Sequence, residues 1–411
     1  MLLYEELIFR NLIKDVSDAD KAKKLLNSKN IKVYCGFDPT GESLTIGHLV
    51  QIMRMKLLEK HNHIPVVLIG GATGLIGDPR QTSERKLLTL EQSLHNAKKI
   101  EAQIRKYLPN AIYVNNYDWV KDIDLITFLR DYGKYFNINY MLAKENVQAR
   151  LETGISYTEF SYMIIQALDW LHLFENDNVQ IQFGGSDQWG NITSGLELIR
   201  KKLGETNTVG ISSPLLLKSD GGKFGKSESG TIWIDANITS PYELYQYFIN
   251  TNDEDVETYL KTLTLYEPNT ITALVEESKE HPEKRIAQKA LAEAICEFVH
   301  GKDVLTRVIN VSESLFSGQF DSLTKEELEL AYLALDSLEV DDNENIIPIL
   351  TKTNLAQSNR EARTFIQSGA ISVNDQKIED FNETVSKKEA YYETYSIIKR
   401  GRRRFSIIKF K

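Results

Sequence analysis

Three polar side chains interrupt the apolar run EFSYMIIQALDWLHLF: Tyr162, Gln166 and Asp169. Their spacing of i, i+4 and i+7 puts all three on one helical face. A face turned to water would be broad and carry Lys and Glu; this stripe is narrow and carries neither. A hydroxyl, an amide and a carboxylate set in an apolar wall suit a small polar ligand. A second group lies in VYCGFDPTGESLTIGH, residues 33–48. A short apolar strand, 32–35, breaks at Gly36, Pro39 and Gly41, and a helical pattern opens near Leu44. Strand, turn and helix start together aim backbone N–H groups and a positive helix end at whatever lies above the turn, and phosphate suits that place. Gly47, beside His48, weakens a helix by about 1 kcal/mol, which is tolerable where something flat lies against bare backbone.

Two further stretches carry chemistry. QFGGSDQWGN, 182–191, follows an apolar strand; its paired glycines allow close backbone approach, and Asp187 can bond a ribose hydroxyl pair. KFGKS, 223–227, is preceded by SDGG, so that glycines stand at 221, 222 and 225, and it holds two lysines three apart. That composition suits a loop whose ammonium groups neutralise a triphosphate.

The elements that must position these residues alternate. Helical spacing over 1–30 is followed by strands at 32–35, 65–71, 111–114 and 179–183, with helices at 44–60 and 157–174 between them. The continuous apolar run PVVLIGG is typical of a strand covered on both faces. The reading is an α/β, doubly wound parallel-sheet (Rossmann-like) domain, with ligands at the C-terminal strand ends. From about residue 240 the pattern turns helical, over 242–250, 253–262, 271–280 and 282–300. The boundaries expected are 1–238 for the catalytic domain, 239–322 for a helical domain, 323–347 for an acidic linker and 348–411 for a small α+β module.

Composition narrows the class. The 411 residues are 42% hydrophobic and 26% charged, ordinary for a soluble globular protein. No run of eighteen apolar residues exists, so no membrane span is expected. The amphipathic, acid-bearing start is unlike a signal peptide. Cys35 and Cys296 form no disulfide framework and fit a reducing, cytoplasmic setting. No Cys or His cluster has zinc spacing, so no metal site is expected. Net charge is −9, but residues 352–411 hold 13 Lys and Arg against 7 Asp and Glu, a net +6, leaving −15 for the other 351 residues. A basic end on an acidic body suggests a polyanionic partner.

The string ending in TIGH resembles the HIGH signature of class I aminoacyl-tRNA synthetases, with Thr45 in place of its first His. CGFDPT, NNYDW, QFGGSDQWGN and KFGKS resemble the tyrosyl-tRNA synthetases of bacterial type, in order along nearly the whole chain. The resemblance implies a tyrosine–tRNA ligase that forms tyrosyl-adenylate from tyrosine and ATP, then passes the tyrosyl group to the terminal ribose of tRNA(Tyr). It assigns Thr40, Thr45, His48, Lys223 and Lys226 to the phosphates. Cys35, Gly36, Asp38, Gly47 and Asp187, with His48 and Lys226, go to ATP. Tyr34, Asp78, Tyr162, Gln166, Asp169, Gln182 and Gln188 go to tyrosine. Mg²⁺ is expected with ATP, and one of Arg80, Arg85 and Lys86 at the pyrophosphate. The C-terminal module is similar to a small RNA-binding domain, with Arg360, Arg363, Arg402, Arg403 and Arg404 toward RNA. A homodimer is implied, through 131–140 and the helix start near Tyr157. The rivals are a tryptophanyl-tRNA synthetase, which Asp169 disfavours, and an RNA-binding protein on an impaired synthetase scaffold.

Overall fold

The computed structural model describes residues 1–79, 87–151, 154–227, 230–401 and 404–411. Five strands form the first sheet: β1 Lys32–Phe37, β2 Ile64–Ile69, β3 Ile112–Asn115, β4 Val179–Gly185 and β5 Val209–Ser213. Their order is β3-β2-β1-β4-β5, and every pairing is parallel. Strand order reverses between β1 and β4, which opens a crevice at their C-terminal ends. The β5 edge is covered by the N-terminal segment, where Val16 bridges to Ile211 and Lys14 N–H bonds the Ser212 carbonyl. A covered edge cannot recruit another chain. That extended segment is also why 1–30 is two helices, Leu3–Phe9 and Ala19–Leu26, rather than continuous helix.

Four helices flank the crevice: α1 Leu49–Lys60, α2 Leu90–Tyr107, α3 Tyr157–Asp177 and α4 Trp189–Leu203. Helix α1 starts later than the apolar pattern suggests. Residues 44–46 are extended because they pair with 232–234, and Ile46–His48 is a 3-10 turn. Helix α3 is capped by Ser156, whose hydroxyl accepts from Glu159 N–H, and ends at Asn178 in the left-handed region. It packs on α4, where Gly195 admits Trp170; a Cβ there would stand 2.9 Å from the indole.

The chain divides into two compact units, Met1–Ile234 with Thr251–Leu291, and Asp235–Asn250 with Ala292–Lys411. The stretch 239–322, expected as one helical domain, is therefore shared between them. The stretch 323–347 is not a linker. It forms helix α6 Lys325–Ala334, after α5 Lys302–Ser317, and strand β6 Ser337–Val340. Its acidic composition conceals Leu328, Ala331 and Val340, all fully buried. With β7 Ile371–Val373, β8 Gln376–Lys377, β9 Tyr395–Arg400 and β10 Arg404–Phe410, β6 builds a second sheet in the order β8-β7-β9-β10-β6. Val311, Phe320 and Leu328 share one apolar cluster with Tyr395, Ile397 and Ile407, so the helices and this sheet have a common core. Among the described residues no helix is long and apolar enough to cross a membrane.

In the first unit, Arg10 ties the N-terminal helix to residues 261–266. It is fully buried, pairs with Glu6 at 2.8 Å, and donates to the carbonyls of Lys261, Thr264 and Tyr266. Arg10→Met leaves Glu6 and three carbonyls without that donor. It is expected to lower unfolding free energy by about 3–5 kcal/mol in urea titrations; a loss below about 1 kcal/mol would mean the contact is dispensable.

Candidate active site

The crevice holds a cavity of about 390 Å³. Its lining brings together Tyr34, Cys35, Gly36, Asp38, Thr40, Thr45, Gly47, His48, Asp78, Tyr162, Gln166, Asp169, Gln182, Asp187 and Gln188. Of the residues assigned from sequence to tyrosine or ATP, Lys223 and Lys226 stand outside that lining.

The polar stripe of α3 forms one wall. Asp169 is 1% exposed, yet it is held by neutral donors: Asn116 Nδ2 and Trp119 Nε1, each at 3.0 Å. Burial pushes its carboxyl up to about 7, against the pull of those two hydrogen bonds. The Tyr34 hydroxyl is buried in the same cavity and hydrogen-bonds no protein group among the described residues. Burial, and the negative charge of Asp169, hold its pKa well above the ordinary phenol value. Gln182 is 3% exposed, and its Oε1 likewise has no hydrogen-bond partner among the described residues.

Two turns back along α3, Tyr162 donates to Asp38 Oδ2 at 2.8 Å, and Thr73 donates to Asp38 Oδ1 at 2.8 Å. Gly70 is required there, since a Cβ would fall 2.1 Å from Asp38 Oδ1 and 2.4 Å from the Thr73 hydroxyl. Asp78 accepts from Gln188 Nε2 at 2.7 Å and Asn191 Nδ2 at 3.1 Å. The same Asn191 amide lies 3.1 Å from Gln166 Oε1 and from Gln188 Oε1, so one side chain gathers three of the assigned residues. Burial raises Asp78 to about 6, with the charges of Asp38 and Asp187 adding to the effect.

On the other side, His48 follows the first turn. Its Nδ1 accepts the Thr45 backbone N–H at 3.1 Å, and the Thr45 hydroxyl lies 3.1 Å from the same nitrogen. A ring that accepts through Nδ1 carries its proton on Nε2 when neutral. Burial lowers the His48 pKa, which favours that neutral donor form. Thr45 thus uses its backbone and hydroxyl to hold His48. The Cys35 thiol points to Gln51 Oε1 at 3.2 Å, and burial pushes it up to about 11. The glycine-lysine loop reaches the same turn through its backbone. Gly225 has φ +81°, and a Cβ there would sit 3.2 Å from Ile46 Cγ1. Phe224 anchors the loop edge-on against Tyr259 at 5.1 Å. Lys223 and Lys226 are exposed beside it.

Asn116, Trp119, Thr73 and Asn191 were not singled out from sequence. Asn116, Trp119 and Asn191 lie within quoted motifs, but their work is to orient other side chains, which spacing alone does not reveal. Arg80, Arg85 and Lys86 lie outside the described residues, as do Arg402 and Arg403. In the second unit, Arg360, Arg363 and Arg404 are exposed. Lys399 and Arg400 are turned inward instead: Lys399 bonds Asp375 and the Gly318 carbonyl, and Arg400 donates to the Leu355 carbonyl at 2.7 Å.

Comparison with known proteins identifies the family. Residues 26–317 match the family of class I tRNA synthetases (W and Y), and 327–408 match the tyrosine–tRNA ligase SYY-like C-terminal domain. The tyrosine–tRNA ligase of Onion yellows phytoplasma is 49% identical over 413 residues, covering 100% of both chains. That of Geobacillus stearothermophilus is 46% identical over 418 residues, again covering 100% of both. The C-terminally truncated mitochondrial tyrosyl-tRNA synthetase of Coccidioides posadasii superposes with a TM-score of 0.66 at 30% identity, covering 75% of this chain and 91% of its own. With relatives matched end to end and a family match that spans the crevice, the chain belongs to the tyrosyl-tRNA synthetases, class I enzymes that ligate tyrosine to tRNA.

Proposed function

We propose that the cavity seats tyrosine between Tyr34 and Asp169 and ATP along the 36–48 turn and Asp187. The observation that carries this is the buried Tyr34 hydroxyl, without a hydrogen-bond partner among the described residues, lining the same cavity as the fully buried Asp169. A phenol OH can donate to Asp169 and accept from Tyr34; phenylalanine leaves both without that partner, which is unfavourable in a buried site. At the other end of the amino acid, Asp78, Gln166 and Tyr162 surround a place fit for an ammonium group.

The reaction then needs placement more than proton transfer. The tyrosine carboxylate attacks the α-phosphorus; the bond to the bridging oxygen breaks, and pyrophosphate leaves. Backbone N–H groups of the turn, neutral His48 through Nε2–H, Thr40, and the cations Lys223 and Lys226 bear on the charge that develops. Mg²⁺ enters with the triphosphate as part of the substrate. Asp187 is placed for the ribose hydroxyls, with Cys35 and Gly47 against the nucleoside. In the second step a terminal ribose hydroxyl of tRNA attacks the adenylate carbonyl and AMP departs.

The rest of the molecule supports partners. Exposed Arg360, Arg363 and Arg404 are proposed RNA phosphate contacts. A second copy of the chain is proposed on the apolar surface of 125–157, where Leu125, Ile126, Ile138 and Tyr157 are each 64–68% exposed. Two buried free cysteines accord with a cytoplasmic location.

ATP–pyrophosphate exchange with each of the twenty amino acids tests the pocket directly: tyrosine alone should drive it. Asp169→Asn should reduce the preference for tyrosine over phenylalanine by roughly tenfold or more, the loss of a buried hydrogen bond worth about 1–3 kcal/mol. An unchanged ratio in competition assays would place the phenol elsewhere. The same variant tests the carboxyl's titration. A carboxyl at about 7 in the folded chain, against an ordinary 3.8, contributes stability below 3.8 that is lost as pH rises through about 7. Asp169→Asn is free of that loss, so its melting temperature should gain on the parent's between pH 5 and pH 8; a constant difference contradicts the shift. Lys226→Ala should slow exchange by about a hundredfold while leaving tyrosine binding within about twofold. Replacing Arg360 and Arg363 together by Ala should weaken tRNA charging and flatten its salt dependence, with pyrophosphate exchange unaltered.

A further inference from the structure

Helix α1 is buried on nearly every side, and one of its buried residues is Arg54, 1% exposed between Met53 and Met55. Its Nη1 donates to the Gly184 carbonyl at 2.9 Å and to the Ser213 hydroxyl at 2.7 Å, both neutral acceptors. Its Nε and Nη2 bond no group among the described residues, and its guanidinium carbon lies 4.7 Å from the centre of the Phe183 ring. Burial draws its pKa down to about 10, against the attraction of Cys35 and Asp187, so it remains charged at neutral pH. A buried charge with only neutral partners is unfavourable for folding. Its contacts indicate what it does in return.

Gly184 and Ser213 stand at the ends of β4 and β5, where the register pairs Gly184 with Ser212 and Gly185 with Ser213. One guanidinium nitrogen fastens the two strand ends together immediately before the chain bends at Ser186–Gln188. That bend aims Asp187 back over Gly185, where a Cβ would fall 2.4 Å from Asp187 Oδ1. Phe183, Gly184 and Gly185 line the cavity, and Arg54 stands behind them.

We propose that Arg54 is a positioning residue for the nucleotide half of the site, fixing the β4 end that presents Asp187 and placing a positive charge behind a wall otherwise rich in carboxylates. The proposal rests on the assignment of ATP to the Asp187 side. It differs from a packing role because it predicts an effect on one substrate and not the other.

The test is steady-state pyrophosphate exchange on the full chain, varying ATP and tyrosine separately. Arg54→Met should raise the ATP KM by about tenfold and leave the tyrosine KM within about twofold. Arg54→Lys, which keeps charge but not the fork, should recover part of the loss. Ser213→Ala, which leaves the charge in place, should raise the ATP KM by about threefold and decides the matter with Arg54→Lys where Arg54→Met fails to fold. Equal rises for both substrates, or an ATP KM unmoved in the folded variants, overturn the proposal. Asp187→Ala separates the two readings. If it leaves the ATP KM alone, the nucleotide assignment itself is wrong; if it raises that KM while the Arg54 variants do not, only the role of Arg54 falls.

Discussion

Asp38, Asp78, Asp169 and Asp187 face one cavity, and their mutual repulsion, with the burial of Asp78 and Asp169, constrains the rest of the site. The hydrogen bonds described at three of them come from neutral donors: Tyr162 and Thr73 to Asp38, Gln188 and Asn191 to Asp78, Asn116 and Trp119 to Asp169. At Asp169 the amide and the indole orient the carboxyl without an ion pair among the described residues. The result is a half-cavity suited to groups that donate, such as an ammonium or a phenol. A triphosphate is ill-suited to the part around Asp78 and Asp169, and the features that favour anions are the backbone N–H groups of the turn, neutral His48 and the glycine-lysine loop. Under the proposed assignment, that polarity sets which way round the two substrates lie.

The fold serves that polarity. A reversal of strand order between β1 and β4 opens the crevice, and α3 lays its narrow polar stripe along one wall while its other faces pack into the core. Glycines at the β2 end are needed for clearance: a Cβ at Gly70 would strike Asp38, and one at Gly71 would stand 2.3 Å from Asn115 Oδ1. Stacking of the Trp119 ring on His172 at 4.3 Å holds the indole whose N–H reaches Asp169.

Much of this was legible in the chain. Apolar runs placed four of the five strands of the first sheet within two residues at their ends, whereas β5, Val209–Ser213, was not read from the sequence. The stripe on α3 was legible for the opposite reason, three polar groups standing out in an apolar run. The C-terminal half was harder. SLEV is only four residues and sits in an acidic neighbourhood, so β6 read as a connector; its identity comes from pairing with β10, far along the chain. Arg54 was invisible too, since an arginine in a helix is ordinarily solvated and nothing local reports the strand ends beneath it. Asn116, Trp119 and Asn191 act on other side chains, and only their motifs pointed to them.

The second sheet has one more implication, for biosynthesis. Its interior strand β10 lies between β9 and β6, yet it leaves the ribosome after both. All five strands of the first sheet have been translated once Ser213 has been added, nearly two hundred residues before β10 is complete. During that interval β6 has no β10 to pair with, and its apolar residues must stay unpaired or be shielded by a chaperone. The nascent chain can thus assemble the first sheet well before it owns the sheet proposed to grip RNA.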